Sequence, residues 1–114
     1  MSINFHLCTA IFLLGIGSMD GGVTQTPKRL VKEKGQEATL NCQQNLNHDY
    51  MYWYRQDDKE GLQLMFYFNN NELFGNFTNN DHFKPNRVNK THLNLQIGSL
   101  ESKDTAMYFC STSD

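Results

Sequence analysis

The side chains able to do chemistry here are few and scattered. There are three cysteines, Cys8, Cys42 and Cys110, and four histidines, His6, His48, His82 and His92, each histidine in a different segment. Neither Cys42 nor Cys110 has a second cysteine, or a histidine three or four residues away, at the spacing a metal site needs. The expected chemistry of this pair is a disulfide, with free thiols and metal ligation as the alternatives. No nucleophile elbow, no groupable Ser/His/Asp set and no glycine-rich phosphate loop occurs. The expectation is therefore a chain with no catalytic residue, no metal and no cofactor. Two triplets, Asn76-Phe77-Thr78 and Asn89-Lys90-Thr91, fit the acceptor pattern for N-linked glycan and so mark expected surface.

The cysteines must be held by strands. In Ala38-Thr39-Leu40-Asn41-Cys42 the apolar residues alternate with polar ones, the period of a half-buried strand. Met51-Tyr52-Trp53-Tyr54-Arg55-Gln56 puts Met51 and Trp53 on one face and Tyr52, Tyr54 and Gln56 on the other. Ala106-Met107-Tyr108-Phe109-Cys110 is a third β-rich run, with Tyr108 two residues before the cysteine. Two cysteines on separate strands, a tryptophan between them and a tyrosine before the second are the marks of an immunoglobulin sandwich. Trp53 and Tyr108 are expected in its core.

The chain has 114 residues, enough for one domain, with 39% hydrophobic residues and a net charge of −2. Neither a nucleic-acid-binding patch nor an acidic tail is suggested, and nucleic acid is not an expected partner. The apolar run from Leu7 to Ile16 is too short to span a bilayer and is followed by Gly17 and Ser18. It reads as a secretory signal peptide over residues 1–18, carrying Cys8 away with it, although no Lys or Arg precedes it. The expected domain is then 19–114, exported to an oxidising compartment where a disulfide persists.

Taken in order, Asp20 to Pro27 is an extended, glycine-opened lead-in, and Pro27 suits an edge strand or a kink between sheets. Arg29 to Glu33 continues as a strand. Asn45 to Tyr50 is turn-prone, and Asp57-Asp58-Lys59-Glu60-Gly61 is a charged hairpin turn. Leu62 to Phe68 is apolar enough to be buried on both faces, and Asn69-Asn70-Asn71-Glu72 breaks it. Loops and short edge strands are expected as far as Asn80. Leu93, Leu95 and Ile97 alternate inward, and Gly98 to Asp104 is a surface crossing. Short strands separated by turn signals, with no repeat, predict an all-β sandwich.

The sequence resembles the variable domain of a T-cell receptor β chain. The resemblance rests on Gly21-Gly22-Val23-Thr24-Gln25-Thr26-Pro27, on Gln44-Asn45-Leu46-Asn47-His48-Asp49, on Met51-Tyr52-Trp53-Tyr54-Arg55-Gln56-Asp57 and on Asp104-Thr105-Ala106-Met107-Tyr108-Phe109-Cys110. It implies a V-type two-sheet Greek-key sandwich. It also implies a partner-chain face at Tyr54, Gln56, Leu62 and Phe109, covered by a receptor α chain. The implied antigen-facing loops are Leu46, Asn47, His48, Asp49 and Tyr50, then Phe68, Asn69, Asn70, Asn71 and Glu72. Tyr50 and Phe68 would offer rigid contact area and the polar residues adaptable hydrogen bonds. The implied ligand is a peptide held by a major histocompatibility molecule. The implied location is the extracellular face of the plasma membrane, with signalling subunits engaged through a constant region absent here.

The departures are specific. Asp58-Lys59 stands where the family often has Pro-Gly. His82 stands where an arginine usually pairs with the aspartate before the second cysteine, so Asp104 is left to pair with His82, with Arg87 or with neither. Cys110-Ser111-Thr112-Ser113 replaces the usual Cys-Ala-Ser-Ser. The sequence stops at Asp114, without the Phe-Gly-x-Gly strand, as an unrearranged germline segment would. A folded version is expected to leave the Cys110 strand open along one edge, an aggregation liability. An antibody light chain or an adhesion-type variable domain is the competing reading.

Overall fold

The computed structural model describes residues 22–78 and 81–114, together with the backbone of 10–15. Among the described residues ten strands form two sheets. They are β1 (Ala10–Gly15), β2 (Val23–Thr26), β3 (Arg29–Glu33), β4 (Ala38–Gln44), β5 (Tyr50–Asp57), β6 (Gly61–Asn69), β7 (Glu72–Asn76), β8 (Phe83–Asn89), β9 (His92–Ile97) and β10 (Ala106–Ser113). One sheet runs β3-β1-β10-β5-β6-β7 and the other β2-β4-β9-β8. The chain changes sheet across Pro27, between β2 and β3. A 3-10 turn, Ser102–Asp104, leads into β10.

Period-two alternation decides what enters the core. Ala38, Leu40 and Cys42 face inward from β4, and Leu93, Leu95 and Ile97 from β9. Trp53 and Tyr108 have no exposed surface. Cys42 and Cys110 are joined across the sheets, with Cα atoms 6.2 Å apart, and Cys110 lies opposite Trp53 in the β10–β5 ladder. The indole and the bridge therefore occupy one layer.

The expectation that Leu62 to Phe68 is buried on both faces is corrected: Leu62 is 58% exposed, whereas Met65, Phe66 and Phe68 are buried. The β5–β6 register shifts between Trp53 and Tyr54, whose partners are Phe66 and Leu64. Met65 is thus the extra residue of a bulge, which lets two consecutive side chains turn inward. Before it Gly61, Leu62 and Gln63 are all exposed and Leu64 is half-buried.

Leu7 to Ile16 was expected outside the fold. Within that run, Ala10–Gly15 lies between β3 and β10, antiparallel to β3 and parallel to β10 over Ala106, Met107 and Tyr108. The rest of residues 1–18 lies outside the described residues. The edge expected to be open on β10 is therefore covered along its first three residues, and among the described strands none pairs with the outer edge of Phe109 to Ser113.

Two polar residues close the core. Gln25 on β2 donates from Nε2 to the Tyr108 carbonyl at 2.8 Å and accepts from the Cys110 amide at 2.9 Å, tying the four-stranded sheet to the six-stranded one. The Tyr108 hydroxyl donates to the Asp104 carbonyl at 2.7 Å. Burial pushes the Tyr108 phenol well above its ordinary value, with the nearby Arg55 opposing the shift. The folded pKa is raised, so this contribution is complete below the unfolded pKa of about 10 and is lost as pH rises beyond it. In alkaline titrations followed by denaturant, wild type is expected to lose up to about 1.4 kcal/mol per pH unit more than Tyr108→Phe above pH ~10. Parallel curves for the two proteins would show that the phenol is not held neutral by the fold.

Candidate recognition surface

Four carbonyl groups and two buried polar side chains build one end of the sandwich. Gln44 is the last inward position of β4 and Arg87 an inward position of β8, with 4% and 6% of their surface exposed. Gln44 donates from Nε2 to the His48 carbonyl at 2.8 Å and the Lys90 carbonyl at 3.0 Å, and its Oε1 accepts from the His48 amide at 3.0 Å. Arg87 donates from Nη2 to the same two carbonyls, at 3.0 and 2.7 Å. From Nη1 it donates to the Asp49 carbonyl, and to Asn70 O at 2.9 Å. Burial lowers the Arg87 pKa from the usual guanidinium value, and the Asp49 carboxylate opposes the shift.

The first loop, Leu46 to Tyr50, and the tip of the β6–β7 hairpin meet there. The Asn70 amide donates to the Asp49 carbonyl at 2.8 Å. Asn47 and Asn70 take positive φ values of 58° and 55°, which asparagine tolerates better than most residues. Lys90 pairs with Asp49 at 3.0 Å. His48 Nδ1 lies 2.8 Å from Thr112 Oγ1, and Tyr52 Oη lies 2.8 Å from Ser113 Oγ, so the end of β10 joins the same surface.

Of the residues expected to contact antigen, Leu46, Asn47, Asn70, Asn71 and Glu72 are exposed, and His48, Asp49, Tyr50 and Asn69 are half-buried. Phe68 is a correction. It is 6% exposed, opposite the fully buried Met51, because it continues the inward face of β6. The rigid aromatic surface falls to Tyr50 instead, whose ring lies 6.3 Å from those of Tyr52 and Tyr67.

The residues expected at the partner-chain face come together. Phe109 is paired with Tyr54 across β10 and β5, and Gln56 with Leu62 across β5 and β6. Paired residues share a face, and this one points away from Trp53. Sequence reasoning missed that the aromatic surface continues sideways. Tyr52 lies 5.8 Å from Tyr67, and Tyr67 6.4 Å from the exposed Phe74 on the edge strand β7. Gly75 makes room for it, since a Cβ there would stand 2.6 Å from the Tyr67 ring. The β-rich tyrosine run was the available signal.

Asn76 and Asn89 are both exposed, and each accepts hydrogen bonds from the threonine two residues on. Asp104 resolves to one of its three alternatives: its Oδ2 lies 2.6 Å from His82 Nε2. Among the described residues no group of three His, Cys, Asp or Glu side chains is arranged to hold a metal ion.

The immunoglobulin V-set domain model matches residues 25–114. The chain belongs to the immunoglobulin V-set family. Within it, the chain is 50% identical over 108 residues to human T cell receptor beta variable 3-1, covering 94% of this chain and 95% of that one. It is 41% identical over 113 residues to human T cell receptor beta variable 4-2, covering 99% of both. A viral T-cell receptor beta chain-like protein of feline leukemia virus is 40% identical over 106 residues, covering 93% of this chain and 33% of its own length. The V-set fold here carries the variable-region role of a T-cell receptor β chain. The V-set family is a receptor family and not an enzyme family.

Proposed function

We propose that this V-set domain recognises a peptide held by a major histocompatibility molecule, through Leu46 to Tyr50 and Asn69 to Glu72. A receptor α chain covers Tyr54, Gln56, Leu62 and Phe109. The observation that carries the reading is the convergence of both loops and the end of β10 on one surface, held from beneath by Gln44 and Arg87. A rigid scaffold presenting adaptable polar groups around one aromatic anchor is what protein recognition requires. In this reading residues 1–18 are a removable leader, the domain is displayed outside the cell, and signalling subunits engage through a constant region. Asn76 and Asn89 carry glycans, the one at Asn89 flanking the recognition end next to Lys90.

The test uses the chain extended into a complete β chain and paired with an α chain in a receptor selected for a defined peptide–histocompatibility complex. The combined variant His48→Ala and Asn71→Ala is expected to weaken binding of that complex about tenfold or more, roughly 1.4 kcal/mol. Lys84→Ala, on β8, is expected to leave it unchanged. Binding unaffected by the loop substitutions, at normal surface display, overturns the assignment of these loops.

A further inference from the structure

The floor beneath the two loops contains a residue whose type is out of place for its position. Phe83, Pro85 and Arg87 occupy the inward-leaning positions of β8, and the first two are apolar. An arginine at the third is expensive to bury unless its donors are met. Here Nη1 and Nη2 each donate to two carbonyls, and the four acceptors come from three separate segments: His48 and Asp49 of the first loop, Asn70 of the β6–β7 hairpin, and Lys90 of the β8–β9 turn. The β8–β9 register shifts between Arg87 and Asn89, leaving Val88 as the extra residue, 55% exposed, at the point where the guanidinium enters the floor.

The charged surroundings are sparse. Asp49 is paired with Lys90 rather than with Arg87, so the guanidinium is met by carbonyl dipoles and not by a bonded carboxylate. Gln44 holds only the first loop and the β8–β9 turn. The direct ties between the first and second loops lie at their margin: the Asn70 amide donates to the Asp49 carbonyl, and Asn69, paired with Tyr50 at the end of the β5–β6 ladder, donates from Nδ2 to the Tyr50 hydroxyl at 3.4 Å. Arg87 alone among these groups grips both loops at once.

We propose that Arg87 is the positioning residue that sets the first and second recognition loops in one fixed relation to each other, by donating to backbone carbonyls of both. It rests on the reading of those loops as the antigen-facing surface. The planar fork of arginine suits this task; a lysine ammonium is a single point donor and cannot span carbonyls lying in different directions. The acceptors are backbone groups, so the grip is indifferent to which side chains the loops carry. Arg87 itself remains beneath the surface and touches no ligand.

The experiment is amide hydrogen exchange on the full chain and on its Arg87→Met and Arg87→Lys variants. In Arg87→Met the amides of His48 and Asn70 are expected to exchange about tenfold faster or more, while those of Leu93 and Leu95 in β9 stay within about twofold. Arg87→Lys is expected between the two. Equal acceleration in loops and β9, or no acceleration at the loops, overturns the proposal. Should Arg87→Met not fold, the unmodified chain still decides: four separate, slowly exchanging Nη–H resonances of Arg87 are expected by NMR, and one averaged signal overturns it. Neither readout needs an antigen, so a wrong assignment of the ligand appears only in the binding measurement and leaves this result standing.

Discussion

Replacing Cys42 and Cys110 together by alanine is expected to lower the stability of the folded domain by about 4 kcal/mol. The bridge closes a sequence separation of 68 residues, and in the chain-entropy account a loop of that size restricts the unfolded chain by this amount. Domains of this size are stable by roughly 5–15 kcal/mol in all, so the loss takes a large share. Near the melting temperature it corresponds to a fall on the order of 20 °C. Changing both residues avoids leaving a lone reactive thiol. Cys42 is fully buried and belongs to the same core as Trp53, so the alanines also lose some packing, which adds to the effect. Urea titrations of the two proteins at matched concentration supply the check. A difference under about 1 kcal/mol would mean that the two sheets are held by packing alone.

The second large effect is expected at Asp104. Its side chain is nearly inaccessible, and Oδ2 receives both His82 Nε2, at 2.6 Å, and the Glu101 amide, at 2.8 Å. Asp104→Ala strips both groups of this acceptor in a place water does not reach, and the expected loss is about 3 kcal/mol or more. Asp104→Asn keeps an oxygen for the Glu101 amide but gives up the charge, and is expected to lose about half as much. The informative comparison is the pair His82→Leu with Asp104→Leu. Removing both partners should cost less than the sum of the two single changes, because neither is left facing an empty site. Denaturant midpoints for the four proteins decide it. Additive single effects would show that His82 and Asp104 are neighbours without being coupled.

Arginine is the usual partner at this site in the family, and histidine here keeps the connection with a shorter side chain. The sequence could name three outcomes for Asp104 and could not choose, because the choice depends on where β8 starts relative to the 3-10 turn. Arg87 lies five residues beyond His82, towards the other end of β8, and serves the loops. The same indeterminacy explains Phe68. The resemblance places Phe68 in the second loop, whereas the apolar run Leu62 to Phe68 reads as a strand, and Phe68 is buried as part of that strand. The bulge at Met65 changes the phase of β6, and with it which of the last residues face inward.

Alternation of side chains along a strand is a local property, so Ala38 to Cys42, Leu93 to Ile97 and Trp53 declared their faces in the sequence itself. The cysteines, the tryptophan and Tyr108 then announced the sandwich, because their roles follow from residue type and order. The grip of Gln25, Gln44 and Arg87 was decided only by the tertiary structure. Their partners are main-chain carbonyls and amides, which every residue carries and no sequence distinguishes. The placement of Ala10–Gly15 beside β10 belongs with them, for an apolar run has no intrinsic address until a strand edge is offered to it.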